Sequence, residues 1–358
     1  MEIGSEFHIS TLDTLKTRSS ILNNSDLLLN FGRTAIKLLV KSLQDNNGLK
    51  GILLPNYLCE SIIQPINAIN LPYQFYEIDK NFSVVIESLQ EKIKPDWAVF
   101  HLDYFNIDKN HELLFYLKSI RSTNIIIEDI THSLFDRKEP IGHFQIASLR
   151  KWLGIPSGAL IRTNGNTNMG KVTLLLNCKI NTRVVEKRFY AANLKKNYLE
   201  MEELRGAKSE FLDLFSEAEV MLDESNIEVQ NIDSISKQII NNFDFKSMIE
   251  IRRMNYQTLY EGLSVIPEIE LLNGYPNEMK VPLGFPIKVK NRNELKSVLI
   301  DAEIYPPVHW PLPKDLLLIQ TKANMHISEN ILTLPCDQRY SDIDMMRMIN
   351  VIKKHYCR

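Results

Sequence analysis

Two carboxylates and a lysine follow one another along this chain in an order that suits cofactor chemistry. The apolar run 125–127 is typical of a buried strand and ends in Glu128 and Asp129, and the motif Ser148-x-x-Lys151 lies further on. A carboxylate at a strand end can keep a pyridine nitrogen protonated, a lysine can form a Schiff base, and a serine can hydrogen-bond a phosphate. Together these groups indicate an enzyme that holds pyridoxal phosphate (PLP).

Lys151 and Asp129 are the candidate catalytic residues. Lys151 follows Ser148 at the spacing of the motif and precedes a turn of small residues, which distinguishes it from an ordinary solvated lysine. Neighbouring residues on a strand point to opposite faces, so only one of Glu128 and Asp129 is expected to reach the ring, and we favour Asp129. A helix N-cap is the alternative role for Asp129.

Several further residues are candidates for cofactor binding. Gly32, Arg33 and Thr34 precede a helical pattern, and backbone N–H groups at a helix N-terminus, with a threonine hydroxyl, can cradle a phosphate. An ordinary helix cap is the alternative. His132 follows Asp129 by three residues and is expected to contact the cofactor, although a single histidine is more often structural.

A PLP ring also needs a flat group against its face. Tyr57 and Tyr104 each follow a predicted strand and are the candidates, with ordinary packing as the alternative. Residues 308–311 and 335–340 are polar and aromatic clusters beside prolines, which either close over a substrate or form loops.

The bulk composition is that of a soluble globular protein. The chain has 358 residues, 44% hydrophobic and 24% charged, with a net charge of −2, which argues against nucleic acid or an anionic membrane as main partner. Its four cysteines, at positions 59, 178, 336 and 357, show no metal-binding spacing and fit a reducing compartment. With no signal-peptide pattern and no apolar run of ~20 residues, a cytoplasmic protein is expected.

Alternating strand and helix patterns predict an α/β fold with a mostly parallel sheet between helices. Strands are predicted at 51–55, 73–78, 97–102, 125–127 and 158–162, and helices at 33–44, 61–70, 113–121, 182–222, 234–262 and 341–356. Ligands of such sheets lie beyond the carboxyl ends of the strands. We predict a large PLP-binding domain at 1–240 and a smaller C-terminal α+β domain at 241–358.

Four ordered segments resemble those of the DegT/DnrJ/StrS family. They are Gly32-Arg33-Thr34-Ala35, Pro55-Asn56-Tyr57-Leu58-Cys59, Glu128-Asp129-Ile130-Thr131-His132 and Ser148-Leu149-Arg150-Lys151-Trp152. The resemblance runs from about residue 25 to 350. It implies a PLP-dependent transferase of fold type I, an aminotransferase whose relatives often act on nucleotide-linked keto-sugars. It also implies a homodimer with active sites at the subunit interface.

The resemblance assigns roles to the matching positions. Lys151 would be the Schiff-base lysine and Asp129 the partner of the pyridine nitrogen. His132 stands where family members often have Gln or His. The residues that would surround the phosphate are Ser148, Gly32, Arg33 and Thr34.

The chain departs from the family pattern at three places. The usual Ser-Gly-Thr phosphate segment is replaced by residues 31–34, and Cys59 stands where many members carry the ring-stacking aromatic. The glycine pair after the lysine is reduced to Ser157-Gly158. These differences indicate a divergent branch.

The function expected is transfer of an amino group from an amino acid to a keto or aldehyde acceptor, with glutamate as the leading candidate for the donor. A non-catalytic PLP-binding regulator and a PLP enzyme of another reaction type are the alternatives. Lys151 speaks against the sugar 3-dehydratase branch, where histidine commonly replaces the lysine. No Gly-x-Gly-x-x-Gly follows an early strand, so a Rossmann-type dehydrogenase is not expected. Residues supplied by a partner subunit are sought at 193–198.

Overall fold

The computed structural model of the protein describes residues 2–10, 22–23, 25–105, 107, 111–136, 139–165, 167, 182–201, 208–224, 228–274, 279–312 and 320–356. Its strands are β1 (Ile3–Gly4), β2 (Leu27–Leu29), β3 (Gly51–Pro55), β4 (Tyr73–Tyr76), β5 (Trp97–Leu102), β6 (Ile126–Asp129), β7 (Phe144–Ser148), β8 (Ala159–Thr163), β9 (Ile269–Leu271), β10 (Phe285–Val289), β11 (Ile304–Tyr305) and β12 (Ile331–Leu334). Its helices are α1 (Gly32–Asn47), α2 (Glu60–Asn67), α3 (Ile86–Lys92), α4 (His111–Ile120), α5 (Thr182–Glu200), α6 (Lys208–Glu224), α7 (Ser234–Asn242), α8 (Phe245–Leu263), α9 (Arg292–Asp301), α10 (Lys322–Asn330) and α11 (Asp342–Tyr356).

A seven-stranded sheet forms the centre of the molecule. Its strand order is β2-β8-β7-β6-β5-β3-β4, and the neighbours from β7 to β4 run parallel, whereas β8 is antiparallel to both β2 and β7. Adjacent residues of β8 point to opposite faces, so Ile161 packs in a core with α1 to α4 and Leu160 in a core with α5 to α8. The predicted α/β class, a mostly parallel sheet between helices, is confirmed.

The strand β7 is the main element that the periodicity did not predict, and it positions part of the site. Its short sequence ends at Ser148, and a 3-10 turn, Leu149–Lys151, follows at once. Strand β2 and helix α3 were not predicted either. The strand predicted at 125–127 extends to Asp129, which places that carboxylate at the carboxyl end of the sheet.

The C-terminal residues build a separate core. Strands β12, β10 and β9 form an antiparallel sheet, and α8, α9 and α11 pack with it. Strand β1 pairs in parallel with β11, so Ile3 at the start of the chain lies in this core. The domain boundary at residue 240 stays a prediction. In the part of the chain that the structure describes, no helix is both long and apolar enough to cross a membrane.

Gly154 holds the N-terminal segment against the turn that follows Lys151. Ser10 N–H donates to the Gly154 carbonyl at 2.9 Å, and Gly154 N–H donates to Ser10 Oγ at 2.9 Å. A Cβ at position 154 would lie only 1.8 Å from the His8 carbonyl oxygen. The two segments therefore approach at a distance that only glycine allows.

We expect Gly154→Ala to lower the free energy of unfolding by about 1–3 kcal/mol, because the added methyl group overpacks backbone. Urea unfolding followed by circular dichroism measures the change. Gly274→Ala is the matched control, since a Cβ there meets nothing within 4 Å. Equal unfolding midpoints for the two variants would show that the contact between the segments is absent in solution.

Candidate active site

A cavity of about 210 Å³ lies at the carboxyl ends of β5, β6 and β7, beside the N-terminus of α1. Seven of the ten residues predicted for the site line it: Gly32, Arg33, Cys59, Asp129, His132, Ser148 and Lys151. Thr34, Tyr57 and Tyr104 are not among its lining residues. The structure thus brings together segments that are more than a hundred residues apart in the sequence.

Asp129 is the carboxylate that faces the cavity. It is buried, and its Oδ1 accepts a hydrogen bond from Thr131 N–H at 2.9 Å. Its neighbour Glu128 points the other way, where Oε2 accepts from the N–H groups of Ile141 and Gly142 at 2.9 and 2.8 Å. The alternation predicted for the pair is therefore observed. The alternative role of Asp129 as a helix N-cap is not observed, since no described helix begins at Asp129.

Burial determines the electrostatics of Asp129. Removal from water raises the pKa of the carboxyl, whereas the hydrogen bonds from Thr131 and the charge of Lys151 act in the opposite direction. The net shift is upward. Within the described residues no cation lies at ion-pair distance from Asp129. The carboxylate is thus poised for a cationic partner that a ligand would bring.

Lys151 is held near Asp129 by the residue that follows it. Trp152 is fully buried, and its indole N–H donates to the Thr131 carbonyl at 2.7 Å, which fastens the turn of Lys151 to the end of β6. The Lys151 ammonium lies 5.6 Å from the centre of the Trp310 ring. The amine therefore stands in a half-buried position between a carboxylate and an indole face.

The N-terminus of α1 and Ser148 form a cradle of phosphate type. A Cβ at Gly32 would lie 3.6 Å from Ser148 Cβ, so the two residues adjoin and border one space. Backbone N–H groups of the first helical turn point toward such a space. Thr34 is used elsewhere: its hydroxyl donates to the Phe31 carbonyl at 2.8 Å and accepts from Phe31 N–H at 3.2 Å, so it caps its own helix.

Three arginines converge on Glu219 at the edge of the cavity. Glu219 lies 2.6 Å from Arg188, 3.3 Å from Arg150 and 3.5 Å from Arg33, and Arg33 also pairs with Asp223 at 2.6 Å. Burial raises the pKa of Glu219, but the three guanidinium groups outweigh it and lower the pKa below its usual value. The positive charge beside the cradle is therefore engaged by carboxylates of α6.

His132 lines the cavity and carries a hydrogen-bond donor that no described residue uses. Its Nδ1 accepts from Phe105 N–H at 3.2 Å, so the ring proton of the neutral form lies on Nε2. Burial, Lys151 and His309 together lower the pKa of His132 well below its usual value, which keeps the ring neutral. Nε2 is buried and has no hydrogen-bond partner among the described residues. A ligand oxygen would satisfy it.

Trp310 is the aromatic residue that lines the cavity. Its ring stacks on His132 with centres 5.4 Å apart and an interplanar angle of 27°. Tyr57 and Tyr104 lie behind it: Trp310 N–H donates to the Tyr57 hydroxyl at 2.7 Å, and the Tyr104 hydroxyl donates to the Tyr57 carbonyl. The two tyrosines thus fasten the segment 308–311 to the sheet, and the flat group offered to a ligand is an indole.

Sequence reasoning did not assign Trp310, Arg150 or Glu219 to this cavity. Trp310 belonged to a cluster for which a loop was the alternative, and Arg150 stood inside the lysine motif without a role. Glu219 is one of many acidic residues in a helix, and no local signal distinguishes it. Residues 193–198, proposed as a source of partner contacts, lie in α5 and do not line the cavity.

Cys59 lines the cavity, and its Sγ accepts a hydrogen bond from the Ser61 hydroxyl at 3.1 Å. Cys336 is buried in the C-terminal core, whereas Cys178 and Cys357 lie outside the described residues. No group of three or more His, Cys, Asp or Glu side chains within the described ranges is arranged to hold a metal ion.

No protein-family model matches the sequence, and no curated protein matches it. Solved structures do match. The sugar aminotransferase CalS13 from Micromonospora echinospora is 16% identical, with 93% of this chain and 88% of that chain covered and a TM-score of 0.63. A DegT DnrJ EryC1 StrS aminotransferase from Brucella abortus is 14% identical, with 93% and 86% covered and a TM-score of 0.61.

The sugar aminotransferase Spr1654 from Streptococcus pneumoniae, solved in its pyridoxamine phosphate (PMP) form, is 14% identical, with 92% of this chain and 87% of that chain covered and a TM-score of 0.66. Similarity at this level of identity over nearly the whole chain reflects a shared architecture. The architecture agrees with the one that the resemblance to the DegT/DnrJ/StrS family implied. This chain therefore has the fold of the sugar aminotransferases.

Proposed function

We propose that the protein is a PLP-dependent aminotransferase that moves an amino group from an amino acid to a keto or aldehyde acceptor of the nucleotide-linked keto-sugar class. Glutamate is the leading candidate for the amino donor. The observation that carries the proposal is the convergence of Asp129, Lys151, Gly32 and Ser148 on one cavity. The shared fold adds support, and Spr1654 has been solved in PLP and PMP forms.

The residues present fit the cofactor at three points. Asp129 is a buried carboxylate with a raised pKa, and a protonated ring nitrogen would supply its missing cation. The orphaned Nε2–H of His132 would donate to an oxygen of the ring. The N–H groups at the start of α1 and the Ser148 hydroxyl border the same cavity and would bind the phosphate. Each of these groups lines the same cavity.

When bound, PLP withdraws electrons from the substrate Cα and carries the amino group from donor to acceptor. The chain's own residues do the rest. The Lys151 amine would hold the cofactor covalently through its aldehyde carbon, with loss of water, and, once displaced by the amine of the donor, would move the proton at the substrate Cα as general base and general acid. Asp129 keeps the ring nitrogen protonated. Trp310 lies beside the Lys151 amine, with its ring centre 5.6 Å from Nζ.

The proposal is tested by adding excess glutamate to the purified, PLP-loaded protein. The visible absorbance of lysine-bound cofactor should be replaced by the near-ultraviolet absorbance of PMP, and one equivalent of 2-oxoglutarate should be released. An unchanged spectrum with glutamate and with a panel of other amino acids would reject the aminotransferase and favour a PLP-binding regulator. A protein that takes up no PLP would reject the cofactor itself.

Glu219 is expected to compete with the cofactor phosphate for Arg33 and Arg150, because the carboxylate engages both guanidinium groups and lines the same cavity. Glu219→Gln should therefore tighten PLP binding by about ten-fold. Fluorescence titration of the cofactor-free protein measures the affinity.

Two controls accompany this prediction. Pyridoxal, which lacks the phosphate, should bind Glu219→Gln and the unaltered protein equally. Glu217→Gln removes a charge from the same helix, where Glu217 pairs with Lys187 outside the cavity, and should leave PLP affinity unchanged. Weaker PLP binding by Glu219→Gln would mean that the carboxylate positions the arginines rather than competes with the phosphate.

We include a homodimer in the proposal, since the resemblance implies active sites at a subunit interface. Light scattering of the purified protein should give the mass of two chains. A monomer with full transaminase activity would contradict this part of the proposal and leave the cofactor chemistry intact.

A further inference from the structure

A second and larger cavity, of about 510 Å³, adjoins the first at Arg150 and Lys151. Arg150 and Lys151 line both cavities and so form the wall between them. The remaining lining comes from the N-terminal segment 4–7, helices α8 and α9, residues 283–284, the proline-rich segment 305–309, the end of β12 and the segment 335–339 that follows it. A molecule in this cavity would lie beside Lys151.

The lining of this second cavity is predominantly cationic. Its charged residues are the cations Arg150, Lys151, Arg252, Lys296 and Arg339 and the carboxylates Glu6 and Asp337. Both carboxylates are already engaged. Asp337 accepts two hydrogen bonds from Arg339, at 2.7 and 2.9 Å, and Glu6 pairs with Arg188 at 3.2 Å. His309 adds no charge, because burial and Lys151 lower its pKa to about 3.

Arg252 is a buried cation without a carboxylate partner. It is fully buried against the Trp152 ring, 4.6 Å from its centre. Nε donates to Gln338 at 2.8 Å, and Nη1 donates to the carbonyls of Pro282 and Leu283 at 3.0 and 2.9 Å, so every acceptor is neutral. Nη2 is buried and finds no hydrogen-bond partner in the described part of the chain. A buried guanidinium in this state favours an anion.

Lys296 is the second uncommitted cation. It lies half-buried on α9, one turn before Ile300, and both residues line the cavity. Among the described residues it has no ion pair at 4.0 Å or less, in contrast to Lys288 of the same region, which pairs with Glu270 at 2.8 Å. Lys296 and Arg252 come from different elements and line one space.

We propose that the second cavity is the substrate-binding site and that it takes a small molecule bearing an oxyanion, with Arg252 and Lys296 as the groups that bind it. This inference rests on the proposed function, since Lys151 is the group at which the substrate must react. A carboxylate of the amino donor and a phosphate of a nucleotide-linked acceptor share the oxyanion chemistry that these cations recognise.

Titration calorimetry on the PLP-loaded protein tests the inference, because the bound cofactor fills the phosphate cradle of the first cavity. The probes are glutarate, which has two carboxylates but no amino group to react, and inorganic diphosphate. At least one should bind. Lys296→Ala should weaken that binding by about five-fold or more, and Arg252→Met by about ten-fold or more. Lys118→Ala, an exposed lysine on α4 that is absent from both linings, is the matched control and should bind normally.

The two probes distinguish the sources of the anion. Binding of glutarate alone assigns the site to the carboxylates of the donor, and binding of diphosphate alone assigns it to a phosphorylated acceptor. The inference is overturned if neither probe binds, or if Lys296→Ala binds as well as the Lys118→Ala control. Lys296→Ala decides the matter even if Arg252→Met fails to fold. The titration requires no turnover, so a protein that binds PLP and probe but transfers no amino group would reject only the proposed function.

Discussion

Lys151→Ala should lower transaminase turnover by at least about ten-thousand-fold. The variant loses both the nucleophile that binds the cofactor covalently and the amine that moves the proton at the substrate Cα. No other lysine lines the first cavity among the described residues, so no neighbouring amine can take over either role. Turnover with glutamate and a keto acceptor is the first measurement, and the cofactor absorbance is the second.

Borohydride reduction followed by peptide mass spectrometry makes the assignment specific. In the unaltered protein the reduced cofactor should be found on the peptide that contains Lys151, and in Lys151→Ala it should be found on none. Lys151→Arg is the matched variant, because it keeps the positive charge beside Asp129 but offers no amine that can exchange a proton at neutral pH. Turnover retained in either variant, or cofactor trapped on another lysine, would remove Lys151 from the mechanism.

The part of the site that could be predicted from sequence depends on strand ends. Asp129 ends β6 of a mostly parallel sheet, and ligands of such sheets lie at the carboxyl ends of the strands, so its place at the site follows from the strand pattern. Strand β7, which ends at Ser148, was not predicted, and the motif of Ser148 and Lys151 is recognised by its spacing alone. The opposite directions of Glu128 and Asp129 follow from the alternation of a strand alone. These predictions use only local geometry and the topology of the sheet.

The rest of the site depends on contacts between distant segments, which spacing does not encode. Trp310 enters the cavity because Tyr57, more than two hundred residues earlier, bonds its backbone. Glu219 reaches Arg33 and Arg150 only because α6 packs beside α1. A position directly after a strand predicts Tyr57 and Tyr104 against the cofactor. Trp310, which comes from the C-terminal half of the chain, is the aromatic residue that lines the cavity, and no pattern near the two tyrosines indicates it.

Asp129→Asn should have opposite effects on catalysis and on stability. The amide cannot keep the ring nitrogen protonated, so turnover should fall by about a thousand-fold while PLP still binds through Lys151 and the phosphate cradle. The cofactor-free protein, in contrast, should become more stable by about 1–2 kcal/mol at pH 7. Burial raises the pKa of Asp129 in the folded state, so ionisation above the usual aspartate range disfavours folding, and asparagine has no such ionisation.

Measuring both quantities on one variant separates a catalytic carboxylate from a structural one. The stability difference should be largest at neutral pH and should shrink as the pH falls from the raised pKa of the folded carboxyl to the usual aspartate value, below which the carboxyl is protonated in folded and unfolded chains alike. Glu128→Gln removes a charge one residue away on the opposite face, where the carboxylate binds two backbone N–H groups, and should reduce stability with little effect on turnover. If Asp129→Asn lowered stability and left turnover nearly unchanged, as expected for Glu128→Gln, the Asp129 carboxylate would have a structural rather than a catalytic role. The expected reversal of sign would mean that the chain keeps an unfavourable buried charge because a cationic ring is to be bound against it.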